Sequence, residues 1–146
     1  GVDINEMVTN LVDTLKRIYQ DKELKISWRV DKQLRFHGDR EDLLELLGNI
    51  LDNACKWCES RIELEIYRDE GIYICVKDDG LGCHGDDLSA LTQRGFRADE
   101  ATPGSGLGLA IVFDIVESYE GTMHFSESQK WGGLQVDIHL QSSVSV

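Results

Sequence analysis

Two runs of strict alternation, Ile62-x-Leu64-x-Ile66 and Ile72-x-Ile74-x-Val76, stand on either side of Asp69, Glu70 and Gly71. Period two puts the aliphatic side chains of each run on one face, so the pair reads as a hairpin that must bury that face. The rest of the chain offers helices as its cover. Ile4, Met7, Val8, Leu11, Leu15 and Ile18 recur at helical spacing over residues 3 to about 20. Asp39 stands as the N-cap of a helix that runs to about Lys56, and a third helix spans roughly 107–120, with Gly121 as its C-terminal cap. Further strands are predicted near 25–30, on Ile26, Trp28 and Val30, and near 122–128. A last one covers 133–140, where Leu134, Val136, Ile138 and Leu140 share a face. The class is α+β: a two-layer sandwich with one mixed, mostly antiparallel sheet covered on one face by helices.

A chain of 146 residues reads as one such domain, and its 41% hydrophobic and 29% charged content is that of a soluble globular protein. No run approaches the roughly 18 apolar residues of a membrane span, and no signal peptide is visible. A membrane link, if one exists, is expected outside these residues. The net charge of -12 speaks against nucleic-acid binding, which relies on a basic surface. It also means that a polyanionic ligand needs local cations or a divalent metal. Cys55 and Cys58 are spaced as half a zinc site, but the second pair of ligands is absent. With Cys75 in a strand run, they read as buried free thiols; Cys83 is the fourth cysteine.

The second helix carries an apolar side of Leu43, Leu47, Ile50, Leu51 and Ala54, and a polar stripe of Glu45, Asn49, Asn53 and Lys56. Most such stripes are merely solvated. Two Asn one turn apart are nevertheless poor helix formers, each costing up to about 0.7 kcal/mol against Ala. Their amide oxygens suit a hard cation such as Mg²⁺, and Lys56 suits phosphate. Asp78 ends the run Ile72-x-Ile74-x-Val76-x-Asp78, so period two sets its carboxylate at the edge of the core, where it needs a donor. The exocyclic amine of adenine is one such donor; the bland alternative is a turn aspartate in Asp78-Asp79-Gly80.

From about 79 to 106 the chain is polar and glycine-rich and holds the only proline, Pro103. A connection of that length in an ordered domain is usually functional. Gly80-Leu81-Gly82 and Gly104-Ser105-Gly106-Leu107-Gly108-Leu109 bracket it. The second set opens a helix whose N-terminal amides favour an anion, yet it matches neither the dinucleotide fingerprint nor a Walker A loop.

Together these segments resemble the GHKL ATPases, the superfamily of gyrase, heat-shock chaperone, histidine kinase and MutL. Asn49-Ile-Leu-Asp-Asn53-Ala54-Cys55-Lys56 resembles their N box and Asp78-Asp79-Gly80-Leu81-Gly82 their G1 box. The 104–109 run resembles their G2 box, and Gly132-Gly133 a degenerate G3. Arg94-Gly95-Phe96-Arg97 stands where sensor kinases carry an F box, with Gly95 where an aromatic is common. The agreement covers about 35–140, and the N-box and F-box runs are most similar to the PhoQ-type sensor kinases.

This resemblance implies an ATP-binding catalytic domain with Mg²⁺. Asn49 and Asn53 would hold metal and triphosphate, and Lys56 would contact phosphate. Trp57 would flank the nucleotide, and Asp78 would bind the adenine amine. Gly80 and Gly82 would admit the base; Gly104, Gly106, Leu107 and Gly108 would form the phosphate cradle. Arg94 and Arg97 would lie in a lid over about 83–105, with Arg97 joining Asn49 and Lys56 in catalysis.

The implied function is transfer of the γ-phosphoryl group to a histidine on a separate dimerisation domain, for relay to a response regulator. Residues 1–22 then read as the end of that domain's helix and a linker, and 23–146 as the catalytic domain, itself soluble and monomeric, on the cytoplasmic side of an inner-membrane sensor. None of His37, His84, His124 and His139 lies in a phosphoacceptor context. Two rivals are an energy-transducing ATPase of the same superfamily and an anti-sigma serine kinase. The first needs a carboxylate base where the alignment sets Asn49, although Glu45 stands one turn earlier.

Overall fold

In chain order, the computed structural model, which describes residues 1–81, 106–141 and 144–145, runs through twelve elements. They are β1 (Val2–Asp3), α1 (Ile4–Ile18), a 3-10 turn (Gln20–Lys22), β2 (Lys25–Val30), β3 (Arg35–Phe36) and α2 (Arg40–Trp57). There follow β4 (Arg61–Arg68), β5 (Ile72–Asp78), α3 (Gly106–Ser118), β6 (Thr122–Glu127), β7 (Leu134–Leu140) and β8 (Val144–Ser145). The predicted lid over 83–105 lies outside the described residues.

The hairpin forms as the alternation requires. Leu64 pairs with Val76 and Ile66 with Ile74, and the turn is made by Glu70 and Gly71, both at positive φ. The main sheet has the order β2-β4-β5-β7-β6; β2 runs parallel to β4 and every other pair is antiparallel. Ile62, Leu64, Ile66, Ile74, Val76, Val136 and Ile138 form its buried face, beneath α2 and α3. This is the mixed α+β sandwich expected. Val136 and Ile138 stand opposite Val76 and Ile74, which extends the same apolar rows across the sheet.

Three features differ from the sequence-based expectation. A small antiparallel sheet, β1-β3-β8, had no signal, because strands of two residues carry no period. In α1 the buried line is Ile4, Met7, Val8, Val12 and Leu15, while Ile18 is 63% exposed at the helix end. Those five side chains belong to the same core cluster as the sheet. At the end of α3 the left-handed residue is Glu120, not Gly121. The Gly121 N–H closes a Schellman-type bond to the Val116 carbonyl, and glycine is needed at 121 because a Cβ would meet the His139 carbonyl.

Candidate functional site

Helix α2 begins where the Asp39 carboxylate accepts the Glu41 N–H at 2.8 Å. It buries Leu43, Leu46, Leu47, Ile50, Leu51, Ala54 and Cys55, which turns the stripe of Glu45, Asn49, Asn53 and Lys56 outward. The Asn49 side-chain N–H donates to the Glu45 carbonyl at 2.7 Å, and its Oδ1 lies toward α3. A Cβ on Gly108 would sit 3.4 Å from that oxygen, so the first turn of α3 lies directly beside Asn49. Among the described residues, the Asn53 side chain has no hydrogen bond. Lys56 pairs with Asp52 one turn back, Nζ to Oδ2 at 3.5 Å, and Tyr19 donates its hydroxyl to Asp52 Oδ1 at 2.7 Å.

Asp78, at the end of β5, is 3% exposed. Its Oδ1 accepts the N–H of Gly80 at 2.9 Å and of Leu134 at 3.3 Å. No donor reaches Oδ2 among the described residues. Burial pushes the carboxyl above its ordinary range; the two N–H groups and the Lys22 charge act against that rise. Two glycines pack around it. A Cβ on Gly133 would lie 2.6 Å from Asp78 Oδ1, and one on Gly80 would meet the Trp57 carbonyl.

Its neighbour behaves oppositely. Burial pushes the Asp79 carboxyl up, but Asp79 Oδ1 accepts the N–H of Glu59, Ser60 and Arg61 at 2.9–3.0 Å, and the net result is a carboxyl held below the ordinary range. Asp79 thereby ties the start of β4 to the end of β5. The carbonyl end of α2 is tied as well, by Lys22, whose Nζ reaches the carbonyls of Cys55, Lys56 and Cys58.

These contacts set out a line. Gly80 lies between the Asp78 carboxylate and the backbone carbonyl of Trp57, whose side chain is half-exposed; Lys56, Asn53 and Asn49 follow back along α2, and Gly108 stands beside Asn49. From Trp57 to Asn49 is about 12 Å at 1.5 Å per residue. One end offers a buried carboxylate at a glycine turn, with the exposed Trp57 at the end of the neighbouring helix, which suits a base carrying an amine. The other offers two amide oxygens, an ammonium and the N-terminus of α3, which suits phosphates and a hard cation.

The structure thus brings together Asn49, Asn53, Lys56, Trp57, Asp78, Gly80 and Gly108, and Gly106 and Leu107 open α3. Gly82, Arg94, Arg97 and Gly104 lie outside the described residues. Three contributors were missed: Lys22, Asp79 and Gly133. Gly133 sits in the degenerate G3 run, but nothing in the sequence aims it at Asp78, and Lys22 had no signal. Cys55, Cys58 and Cys75 are buried free thiols, and burial pushes them up to about 12, 11 and 12. His124 and His139 lie on β6 and β7, and His139 contacts the Asp69 carbonyl.

Comparison with known proteins points the same way. Residues 38–143 match the family model described as histidine kinase-, DNA gyrase B-, and HSP90-like ATPase. The chain is 44% identical to the sensor protein kinase CarS of Pseudomonas aeruginosa over 139 residues, which is 94% of the chain and 31% of that protein. It is 38% identical to the sensor protein PhoQ of Escherichia coli over 133 residues, 90% of the chain and 27% of PhoQ. The chain therefore spans about a third or less of the length of these relatives. Among solved structures, the mycobacterial sensor histidine kinase MprB superposes with a TM-score of 0.77 at 27% identity, covering 95% of the chain and 94% of that structure. Full-length ShkA, solved with AMPPNP, superposes with a TM-score of 0.81 at 23% identity, covering 99% of the chain and 31% of ShkA, a likeness of fold.

Proposed function

The chain belongs to the histidine kinase-, DNA gyrase B-, and HSP90-like ATPase family, and from that premise we propose that it is the ATP-binding catalytic part of a sensor histidine kinase. It passes the γ-phosphoryl group of ATP to a histidine on a dimerisation domain, and a response regulator takes the phosphoryl group from there. The observation that carries the reading is Asp78: a carboxylate buried at a strand end, with Oδ1 held by two backbone donors and Oδ2 turned to none among the described residues. The amine of adenine supplies the missing donor, and the Trp57 ring flanks the base. Gly80 and Gly82 admit it.

Lys56 draws toward the phosphates, exchanging Asp52 for a doubly charged partner. Gly104, Gly106, Leu107 and Gly108 carry the backbone that cradles them, and Arg94 and Arg97 belong to the lid. Asn49 and Asn53 fit Mg²⁺, since each presents an amide oxygen on the same stripe. When bound, the metal neutralises phosphate charge, which a chain of net charge -12 otherwise opposes. Transfer of this kind depends mainly on position and charge, so the acceptor's own acid–base group completes the site. The hydrolytic alternative needs a carboxylate where Asn49 stands. Among the described residues no helix is long and apolar enough to cross a membrane. The domain belongs on the cytoplasmic side of an inner-membrane sensor, an assignment supported by the sensor proteins it resembles.

The test is incubation with γ-labelled ATP and Mg²⁺, with and without histidine-bearing dimerisation domains from the CarS and PhoQ relatives. Label should pass to the added histidine and little phosphate should be released without it. Brisk release by the chain alone, retained in Asn49→Ala and lost in Glu45→Ala, would favour hydrolysis instead.

A further inference from the structure

One side chain outside the nucleotide motifs touches the backbone of the site at three points. We propose that Lys22 is a positioning residue of the nucleotide site, holding the last turn of α2, with Lys56 and Trp57, against the strand end that carries Asp78. The inference rests on the nucleotide reading above and adds a residue to it.

An ammonium has three N–H donors, and Lys22 uses all of them. Its Nζ lies 2.7 Å from the Cys55 carbonyl, 2.7 Å from that of Lys56 and 3.1 Å from that of Cys58. Carbonyls at a helix C-terminus lack intrahelical partners and carry the negative end of the dipole, so a cation there is favoured. The intervening carbonyl, Trp57, is the one that Gly80 approaches. On the far side of the turn, Asp79 accepts the N–H groups of Glu59, Ser60 and Arg61. The segment 55–61 is therefore held by a cation on its carbonyls and an anion on its amides.

The 3-10 turn is itself anchored, since the Lys22 N–H donates to the Tyr19 carbonyl at 2.9 Å. Tyr19 holds Asp52, the counter-ion of Lys56. The candidate phosphate lysine is thus placed twice from one short segment: its backbone by Lys22 and its counter-ion by Tyr19. The charge of Lys22 also favours the ionised form of Asp78, against burial and the adjacent Asp79. The charged groups acting on Asp78 are Asp79 and Lys22; the Cys58 thiol nearby is pushed up to about 11 and stays neutral in the range tested.

The experiment follows Mg²⁺-ADP binding by calorimetry from pH 4 to 8 for the parent, Lys22→Met, Lys22→Gln, Lys22→Arg and Asp78→Asn, with thermal denaturation of each. Lys22→Met should bind about tenfold more weakly at pH 7.5, the scale of lost charge-assisted hydrogen bonds. Its binding should also fail at a higher pH than the parent's, because Asp78 has lost a cation that favours its charged form. Lys22→Arg should recover most of the affinity. A merely structural lysine would lower the melting temperature and leave the pH midpoint of binding in place. A folded Lys22→Met with the parent's affinity and midpoint overturns the inference. Should Lys22→Met not fold, Lys22→Gln, which keeps amide donors without charge, decides by the same midpoint: unmoved, it overturns the inference. Asp78→Asn separates the two levels. If it binds ADP like the parent, base recognition by Asp78 fails and the role of Lys22 fails with it.

Discussion

The two ends of α2 are finished in different ways. At the N-terminal end, Asp39 caps the helix, and the Asp39 N–H donates to the Tyr119 hydroxyl at 3.0 Å. That hydroxyl donates in turn to Asp42 at 2.9 Å, and the Tyr119 ring packs on Phe36 with centroids 5.5 Å apart. Each side chain there has its partner within the protein. At the C-terminal end, the backbone is satisfied by Lys22 and by Asp79, while the side chains of Asn53 and Trp57 and one oxygen of Asp78 face outward or lack a protein donor among the described residues. The contrast fits the proposed function: one end saturates its side chains within the protein, while the other saturates its backbone and leaves Asn53, Trp57 and one oxygen of Asp78 for the nucleotide proposed to bind there.

The sharpest way to break that contrast is Asp78→Asn. If Asp78 accepts from adenine, its loss removes a hydrogen bond to a charged group, worth about 1.5–3 kcal/mol, so ATP should bind at least tenfold more weakly and lose its advantage over GTP. The unliganded protein should respond in the opposite sense. The Asp78 carboxyl is held above its ordinary 3.8 in the folded state, so folding retains the proton and stability falls as pH rises through 3.8 toward the raised value. Asp78→Asn should remove that fall and match or exceed the parent's stability at pH 7. Urea titrations from pH 4 to 8 beside ATP calorimetry measure both; a variant that loses stability and keeps ATP would reverse the reading.

Next in size is Asp79→Ala, which strips an acceptor from three backbone N–H groups. Unfolding free energy should drop by about 2 kcal/mol at pH 7, allowing for water at a partly buried site. Here the linkage has the other sign. The carboxyl is held below 3.8, so its stabilisation is present above that value and is lost as pH falls through the lowered one. Parent and variant should converge in acid, and a gap that persists unchanged to pH 2 would show that the carboxylate's charge is not what matters.

At the opposite end, Tyr119→Phe removes one donor to Asp42 and one acceptor for the Asp39 N–H. The expected loss is about 1 kcal/mol of stability, with ATP affinity unchanged. A weakened affinity would mean that the two ends are coupled through α2. The smallest effect is a gain: Glu120 holds φ 55, a conformation that disfavours side chains, so Glu120→Gly should stabilise by about 0.5–1 kcal/mol. Thermal denaturation resolves it, and nucleotide binding should again be indifferent.

Short windows of sequence determined much of this protein. Period two in 62–66, 72–76 and 134–140 made those strands legible, and the same rule placed Asp78 at the core edge before any fold was known. The cap at Asp39 and the stripe from Glu45 to Lys56 identified α2 and the side it presents. Such features depend on neighbours within a turn or two, so they are visible in one dimension. Tertiary structure alone decided the rest. Gly133 sits against Asp78, Asp79 reaches the amides of β4, Lys22 closes the end of α2, and β1, β3 and β8 pair without any period of their own. Each of these answers a backbone group that secondary structure leaves unpaired, or a space too tight for a Cβ. Which residue meets that need depends on what the folded chain brings within reach, and no local pattern records it.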